Sequence, residues 1–468
     1  MFDAGTYAER REKLRKQVGT GLILLPGNED SPMNYPANTY HFKQDDSFLY
    51  FFGLDTAGLA AVLDAEEGRD VLFGDDIDME DIIWMGDMPT MAARAAKVGV
   101  KETMPRARLA GVLDQARRQG RTVHFLPPYR SEVKLSLQKW LGVASDEAKA
   151  KASVTLIKAV IAQRLIKSPA EVREIEKALA VSQSMYHLVM KAARPGVREQ
   201  ELVGLVEGLA FSRAGGTAFP TILTINGQIL HNHGYPNALK TGRLLVVDSG
   251  AESPMHYASD ITRTLPVGGK FTSKQKDIYE IVEKAHDLAI NRMKPGVLYR
   301  DIHLQAAGVI ASGLTDLGLM KGDVGAAVAE GAHALFFPHG LGHQMGLGVH
   351  DCEELGENHI GYDEKIPRSS QFGLAYLRFA KALQPGHVLT VEPGLYFIPA
   401  LIDQWKAESR HANFINYDQV DKYRGFGGVR IEDDVLVTET ARGHRLLGRP
   451  IPKSVRDVER AMSGRAVR

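Results

Sequence analysis

The sequence predicts two domains in series. A small α/β domain covers residues 1–160. A larger α+β domain covers 161–445 and carries a duplicated helix pair, and residues 446–468 form a tail. Three observations lead there. A chain of 468 residues is longer than one hydrophobic core ordinarily serves. Strand-like and helix-like runs alternate over residues 7–126, the pattern of an α/β layer. A helix, a basic-Pro-Gly-Val stop and a second helix occur twice, at Arg194-Pro195-Gly196-Val197 and at Lys294-Pro295-Gly296-Val297, as a duplicated half-domain would leave them.

The elements follow in order. Residues 7–18 are charged and helical. Gly21 to Leu25 is an apolar run closed by Pro26-Gly27, a strand. Ser47 to Phe52, ended by Gly53, reads as a second strand. Leu59 to Leu63 and Val71 to Phe73 flank the Glu66-Glu67-Gly68 turn as a hairpin. Helical runs at 90–96 and 109–118 precede a strand at Thr122 to Leu126. The acids Asp45, Asp46, Asp75, Asp76, Asp78, Glu80 and Asp81 have no histidine at ligand spacing and read as solvated surface. Ser168-Pro169-Ala170-Glu171 is a helix start: a capping serine, proline in the first turn, and glutamate three residues after the serine. Helices follow at 199–213, 277–293 and 299–314. Strands are expected at 221–225, 244–248, 261–267, 388–392, 395–398 and 429–437.

Composition narrows the function. Lys+Arg and Asp+Glu are equal at 57 each, which argues against nucleic acid or an anionic membrane as partner. The single cysteine, Cys352, excludes an internal disulfide and suits a reducing compartment. No signal peptide or membrane-spanning run is visible, so a cytoplasmic protein is expected.

The chemistry concentrates in Pro338–Asp351, where His339, His343 and His350 stand among four glycines. Imidazoles bind transition metals and carry protons, and glycines let a backbone approach a ligand closely. Four carboxylates elsewhere sit at or near the ends of apolar strands. Asp248 closes one, Asp260 follows it across a turn, Glu392 precedes Pro393-Gly394, and Glu432 alternates with outward-pointing neighbours. Buried carboxylates repel one another unless a cation lies between them. Together with one histidine they have the makings of a two-ion site. Arg430, on the same strand face as Glu432, could orient the carboxylates.

The segments Val-Val-Asp-Ser-Gly-Ala, Ser-Asp-Ile-Thr-Arg-Thr, His-Gly-Leu-Gly-His, Thr-Val-Glu-Pro-Gly-Leu-Tyr and Val-Arg-Ile-Glu-Asp-Asp occur in order. In them the chain resembles the metallopeptidases with the pita-bread fold, which include methionine aminopeptidase, aminopeptidase P and prolidase. The first domain, through Gln44 to Tyr50, is similar to the cap domain of the proline-specific branch. One difference is a gap between Asp248 and Asp260 that is one residue longer than the family's.

The resemblance implies an α/β cap domain followed by a duplicated, pseudo-two-fold pita-bread domain. It implies two divalent ions per subunit, with Mn²⁺ favoured by the oxygen-rich ligands and Co²⁺ or Zn²⁺ possible. Asp248, Asp260, His343, Glu392 and Glu432 would be the ligands, Asp260 and Glu432 bridging. A metal-activated hydroxide would attack the peptide bond. Glu392 would handle protons, His231 and His350 would act on substrate and intermediate, and His339 would be a pocket wall or a structural residue. Arg430 would support the ligands from behind, and His233 matches nothing.

The implied substrate is a small peptide with proline second. Tyr376 to Gly386 is similar to the prolidase segment in which an arginine, here Arg378, grips a dipeptide's free carboxylate. Xaa-Pro dipeptidase is therefore expected. Xaa-Pro aminopeptidase acting on longer peptides is the alternative, and a non-catalytic pita-bread binding protein a remote one. A homodimer is implied, with the cap domain of one subunit approaching the other's site.

Overall fold

A computed structural model describes residues 1–463. The chain divides into two compact units: Met1–Arg164 together with Cys352–His359, and Leu165–Asp351 together with the chain from Ile360 on.

The first unit is built on a five-stranded mixed sheet. Its order is Glu102–Met104, Asp70–Phe73, Ala60–Asp64, Leu22–Pro26, Val123–Phe125. The central hairpin pairs antiparallel, Val62 facing Leu24 and Val71, and the two outer strands join in parallel. Leu22, Leu24, Val62 and Phe73 pack against Leu109 and Leu113 of the Leu109–Arg118 helix and Leu137 of Ser131–Leu141.

Ser47 to Phe52 differs from its expected strand: Asp46–Phe52 is a helix. Asp45 caps it by accepting from Phe48 N, and Gly53 closes it in the left-handed conformation. All six residues from Ser47 to Phe52 are buried, so no polar face interrupts the apolar run and periodicity cannot separate helix from strand. Asp45 is therefore a cap. Asp78 and Asp81 form a capping box at the Met79–Met85 helix. Asp76 accepts from Met91 N and Asp75 from Arg106 N. Asp75, Asp76 and Asp78 are exposed, as expected, and these acids also serve backbone donors.

The second unit repeats one plan twice. The Pro169–Ala192 and Glu199–Arg213 helices form one pair, Ser273–Arg292 and Tyr299–Asp316 the other. The first begins with the Ser168/Glu171 capping box, worth about 1 kcal/mol. The turns match atom for atom. Gly196 N donates to Leu239 O at 2.9 Å, and Gly296 N to Leu383 O at 2.8 Å. Val197 O accepts from Leu239 N, and Val297 O from Leu383 N. Both glycines have positive φ, 90° and 85°, which explains their recurrence. Two three-stranded sheets lie in the two halves, Ile222–Thr224/Leu244–Asp248/Thr262–Pro266 and Val388–Val391/Asp433–Val437/His444–Leu446.

The expected strand 429–437 is two strands, Gly428–Arg430 and Asp433–Val437, paired with different partners. Glu432 sits at the break, in an isolated bridge with Thr262. The Val455–Met462 helix follows near the end of the described chain.

Candidate metal centre

Asp248 is the last residue of the central strand Leu244–Asp248, level with Thr262 on one side and Ile222 on the other. The chain then loops through Ala251–Ala258 and returns at Asp260. Tyr186, on the helix behind, ties the two arms: its hydroxyl accepts from Ser249 N at 3.2 Å and donates to the Ile261 carbonyl. Ser182 Oγ accepts from Ala251 N at 2.9 Å and lies 2.8 Å from Ser259 Oγ. The longer Asp248–Asp260 connection leaves Asp260 directed inward and buried, with its N–H donating to Asp434 Oδ2 at 3.0 Å.

From the second half, the glycine-rich loop hydrogen-bonds to Val388–Val391. His343 N donates to Thr390 Oγ1 at 3.1 Å, Thr390 N to His343 O at 3.0 Å, and Glu392 N to Leu341 O at 2.8 Å. Gly342 is required here, because a Cβ would overlap the Thr390 carbonyl. Glu432 is held by Thr262, whose hydroxyl donates to Glu432 Oε2 at 2.6 Å and whose carbonyl accepts Glu432 N at 3.1 Å.

One ligand atom each from Asp260, His343 and Glu432 lies within 4.8 Å of the others. His343 Nε2 is 3.5 Å from Asp260 Oδ2 and 3.7 Å from Glu392 Oε1. Asp248 faces the same cluster, its Oδ2 accepting from Arg430 Nη2 at 2.6 Å. Burial raises Asp260 and Glu432 well above ordinary carboxylates. Glu432, Asp248, Asp434 and Glu392 add to the rise at Asp260, and Glu392 and Asp248 to that at Glu432. His343 is pushed down to about 3, by burial and then by Arg378.

Its Nδ1 lies 3.1 Å from the Gln344 carbonyl. The proton belongs there, which turns the Nε2 lone pair toward two carboxylates. Asp260 Oδ1 is buried with no hydrogen-bond partner. Lone pairs facing lone pairs in a desolvated space are unfavourable without a cation, and one imidazole among several carboxylate oxygens is a donor set for a divalent ion. The residues fit such an ion.

All ten residues singled out from the sequence line one cavity of about 790 Å³: His231, Asp248, Asp260, His339, His343, His350, Arg378, Glu392, Arg430 and Glu432. His231 is exposed at this cavity. So is His233, which also lines it, although it matches no residue of the family. The His350 ring stacks edge-on to His343 at 4.3 Å, and its Nδ1 is 2.9 Å from Arg378 Nη1. A nitrogen accepting from guanidinium is unprotonated, and burial, His343 and Arg378 all press the pKa of His350 down. The ring is thus neutral.

Sequence reasoning missed three side chains here. Tyr396 OH accepts from Arg430 Nη1 at 2.9 Å and lies 3.0 Å from His339 Nε2. Thr262 joins Glu432 to Arg430, whose Nε donates to it at 3.1 Å. Asp434 carries Asp260. All three stand in the family-like segments, and Asp434 also shows in the pattern itself, as the second acid on the Glu432 face of an apolar run.

Residues 173–439 match the family model of metallopeptidase family M24, and residues 7–124 that of the aminopeptidase P N-terminal domain. The chain is 33% identical to human Xaa-Pro dipeptidase over 97% of this chain and 91% of that protein. It is 33% identical to a probable Xaa-Pro aminopeptidase of Podospora anserina, over 94% and 93%. Its structure superposes on aminopeptidase PepP of Pseudomonas aeruginosa with a TM-score of 0.80 at 30% identity, covering 99% of this chain and 98% of that one.

Proposed function

The chain is a pita-bread-fold metallopeptidase of family M24, in its proline-specific branch, and from that premise we propose that it is an Xaa-Pro dipeptidase holding two divalent ions. Arg378 carries the choice of a dipeptide. Its guanidinium lines the same cavity as the carboxylates, beyond His350, where it can pair bidentately with a free C-terminal carboxylate.

Asp248, Asp260, His343, Glu392 and Glu432 are the proposed ligands, with Mn²⁺ the preferred ion for so many oxygens. When bound, the ions acidify water and polarise the scissile carbonyl. Glu392, the most accessible carboxylate of the set with 19% of its side chain exposed, takes the proton from the attacking water and delivers it to the departing proline nitrogen. His350 accepts from Arg378 at Nδ1, so it keeps a proton on Nε2 and donates it toward the carbonyl oxygen as negative charge develops there. His231 contacts the substrate from the cavity mouth. Arg430 neutralises Asp248 and, through Tyr396, fixes His339 as a wall.

We also propose residues 1–160 as a cap domain, 161–445 as the catalytic domain, a cytoplasmic location and a homodimer. The dimer has support in the Met79–Met85 helix, where Ile83, Trp84 and Met85 are each more than 70% exposed. No helix among the described residues is long and apolar enough to cross a membrane.

The deciding experiment compares an Xaa-Pro dipeptide with the same peptide extended at its C-terminus, in Mn²⁺. Preference for the dipeptide supports the assignment. Equal or faster cleavage of the extended peptide replaces it with an Xaa-Pro aminopeptidase.

A further inference from the structure

Behind the carboxylates, away from the cavity, Arg263 is 1% exposed and finds an acceptor for every donor. Nε donates to Pro452 O at 3.0 Å. Nη1 donates to Thr262 O at 2.9 Å and to Glu432 O at 2.7 Å. Nη2 donates to Asp433 Oδ1 at 2.7 Å and to Ile451 O at 3.1 Å. Three chain segments meet on one planar group: the strand carrying Thr262, the break carrying Glu432, and residues 451–452. The last lies beyond residue 439, where the family match ends.

We infer that Arg263 is a positioning residue for Glu432, and that the C-terminal segment it grips is part of the metal centre's support. This rests on the peptidase reading only in taking Glu432 as a ligand. A buried ion pair is weak evidence of stabilisation, since apolar residues of similar volume often serve as well. What an apolar residue cannot supply is the geometry. Arg263 holds the Glu432 carbonyl, while its neighbour Thr262 holds the Glu432 N–H and carboxylate. The peptide on which Glu432 turns is thereby gripped on both sides at the break between two strands, where ladder hydrogen bonds do not place it.

Asp433, pointing the opposite way from Glu432, has its other oxygen 3.3 Å from His286 Nε2, without a hydrogen bond between them. The C-terminal segment is itself anchored. Tyr279 OH donates to Lys453 O at 2.5 Å, Phe271 N to Glu459 Oε1 at 3.1 Å, and Arg194 Nη2 to Met462 O at 3.2 Å. Residues 449–463 are therefore a fixed backing for the break.

The test is Mn²⁺ titration of metal-free protein by calorimetry, on wild type, Arg263→Met and Arg263→Lys, with circular dichroism and thermal midpoints alongside. Arg263→Lys retains a charge opposite Asp433 but cannot reach five acceptors. The expected result is folded variants in which one Mn²⁺ binds about 10- to 100-fold more weakly for Met, with a smaller loss for Lys. On an Xaa-Pro dipeptide, kcat falls with little change in KM. The inference is overturned if both variants bind Mn²⁺ as wild type does, or if only the thermal midpoint moves. Should Arg263→Met not fold, Arg263→Lys decides alone by the same criterion. Wild type that binds Mn²⁺ but cleaves no Xaa-Pro peptide would remove the peptidase reading and leave the affinity comparison standing.

Discussion

Arg378 Nη1 and His350 Nδ1 are 2.9 Å apart, so the arginine proposed to meet the substrate's carboxylate also sets which nitrogen of the histidine keeps its proton. Arg378→Ala should reduce kcat/KM for an Xaa-Pro dipeptide by about 10- to 100-fold, the worth of a charge-assisted hydrogen bond of about 1.5–3 kcal/mol. The loss for a C-terminally amidated substrate should be smaller, since only the His350 contact is then removed. Steady-state kinetics on the matched pair measures the difference. Equal losses would show that Arg378 does not recognise the carboxylate.

Metal removal should abolish hydrolysis and make stability depend on pH in a defined sense. Burial raises Asp260 and Glu432 in the metal-free chain. A carboxyl with a raised folded-state pKa keeps its proton longer folded than unfolded. Stability is therefore intact below about pH 4 and is lost as pH climbs toward the raised value. Ion binding reverses this by requiring the deprotonated form. The thermal midpoint in chelator should fall between pH 5 and 8, and the increment on adding Mn²⁺ should grow. With Mn²⁺ at 100 times its dissociation constant, that increment corresponds to about 2.7 kcal/mol. An increment that shrank with rising pH would contradict the assignment.

His303 and His333 are both fully buried, and neither ring nitrogen of either has a hydrogen-bond partner. Burial pushes them down to about 3 and about 4, with neighbouring histidines adding to the effect. Their contribution runs opposite to that of the carboxylates. It is intact above about pH 6.5 and is lost as pH falls toward 4, where only the unfolded chain takes up the protons. Replacing His333 with Phe should stabilise the protein by about 1 kcal/mol at pH 7.5, by removing unsatisfied polar atoms. It should also flatten the acid limb of a denaturant-midpoint profile. An unchanged limb would mean that His333 finds a proton acceptor in solution.

Gly342 admits no side chain beside Thr390 O and Tyr299 OH. Gly342→Ala should push the loop off its strand, lower stability by about 1–3 kcal/mol, and weaken Mn²⁺ binding through His343. Chemical denaturation and metal titration would report the two effects separately. Wild-type values in both would show that the loop can shift without cost.

Much of this was legible in the chain itself. The Ser168/Glu171 capping box and the twice-used Pro-Gly-Val turn are local chemistry, and local chemistry is what spacing records. The carboxylates could be picked out because charge at the end of an apolar strand is expensive and invites explanation. Ser47 to Phe52 misled because a helix buried on every side has lost the polar face that would mark its period. The break at Glu432 was hidden for a different reason. Val429 to Val437 reads as one strand, and only the pairing of its two ends with different partners, Gly394–Tyr396 and Val388–Val391, divides it. Arg263 stands in the Ser-Asp-Ile-Thr-Arg-Thr segment, but its role was hidden, because its five acceptors are four backbone carbonyls and one carboxylate spread over nearly two hundred positions.

The two halves of the second unit divide the candidate ligands between them. Asp248 and Asp260 come from the first, and His343, Glu392 and Glu432 from the second. The complete set of five exists only where the two halves meet. An ion bound there would be held from both repeats at once and would join them like a rivet. Separating one repeat from the other would take that donor set apart.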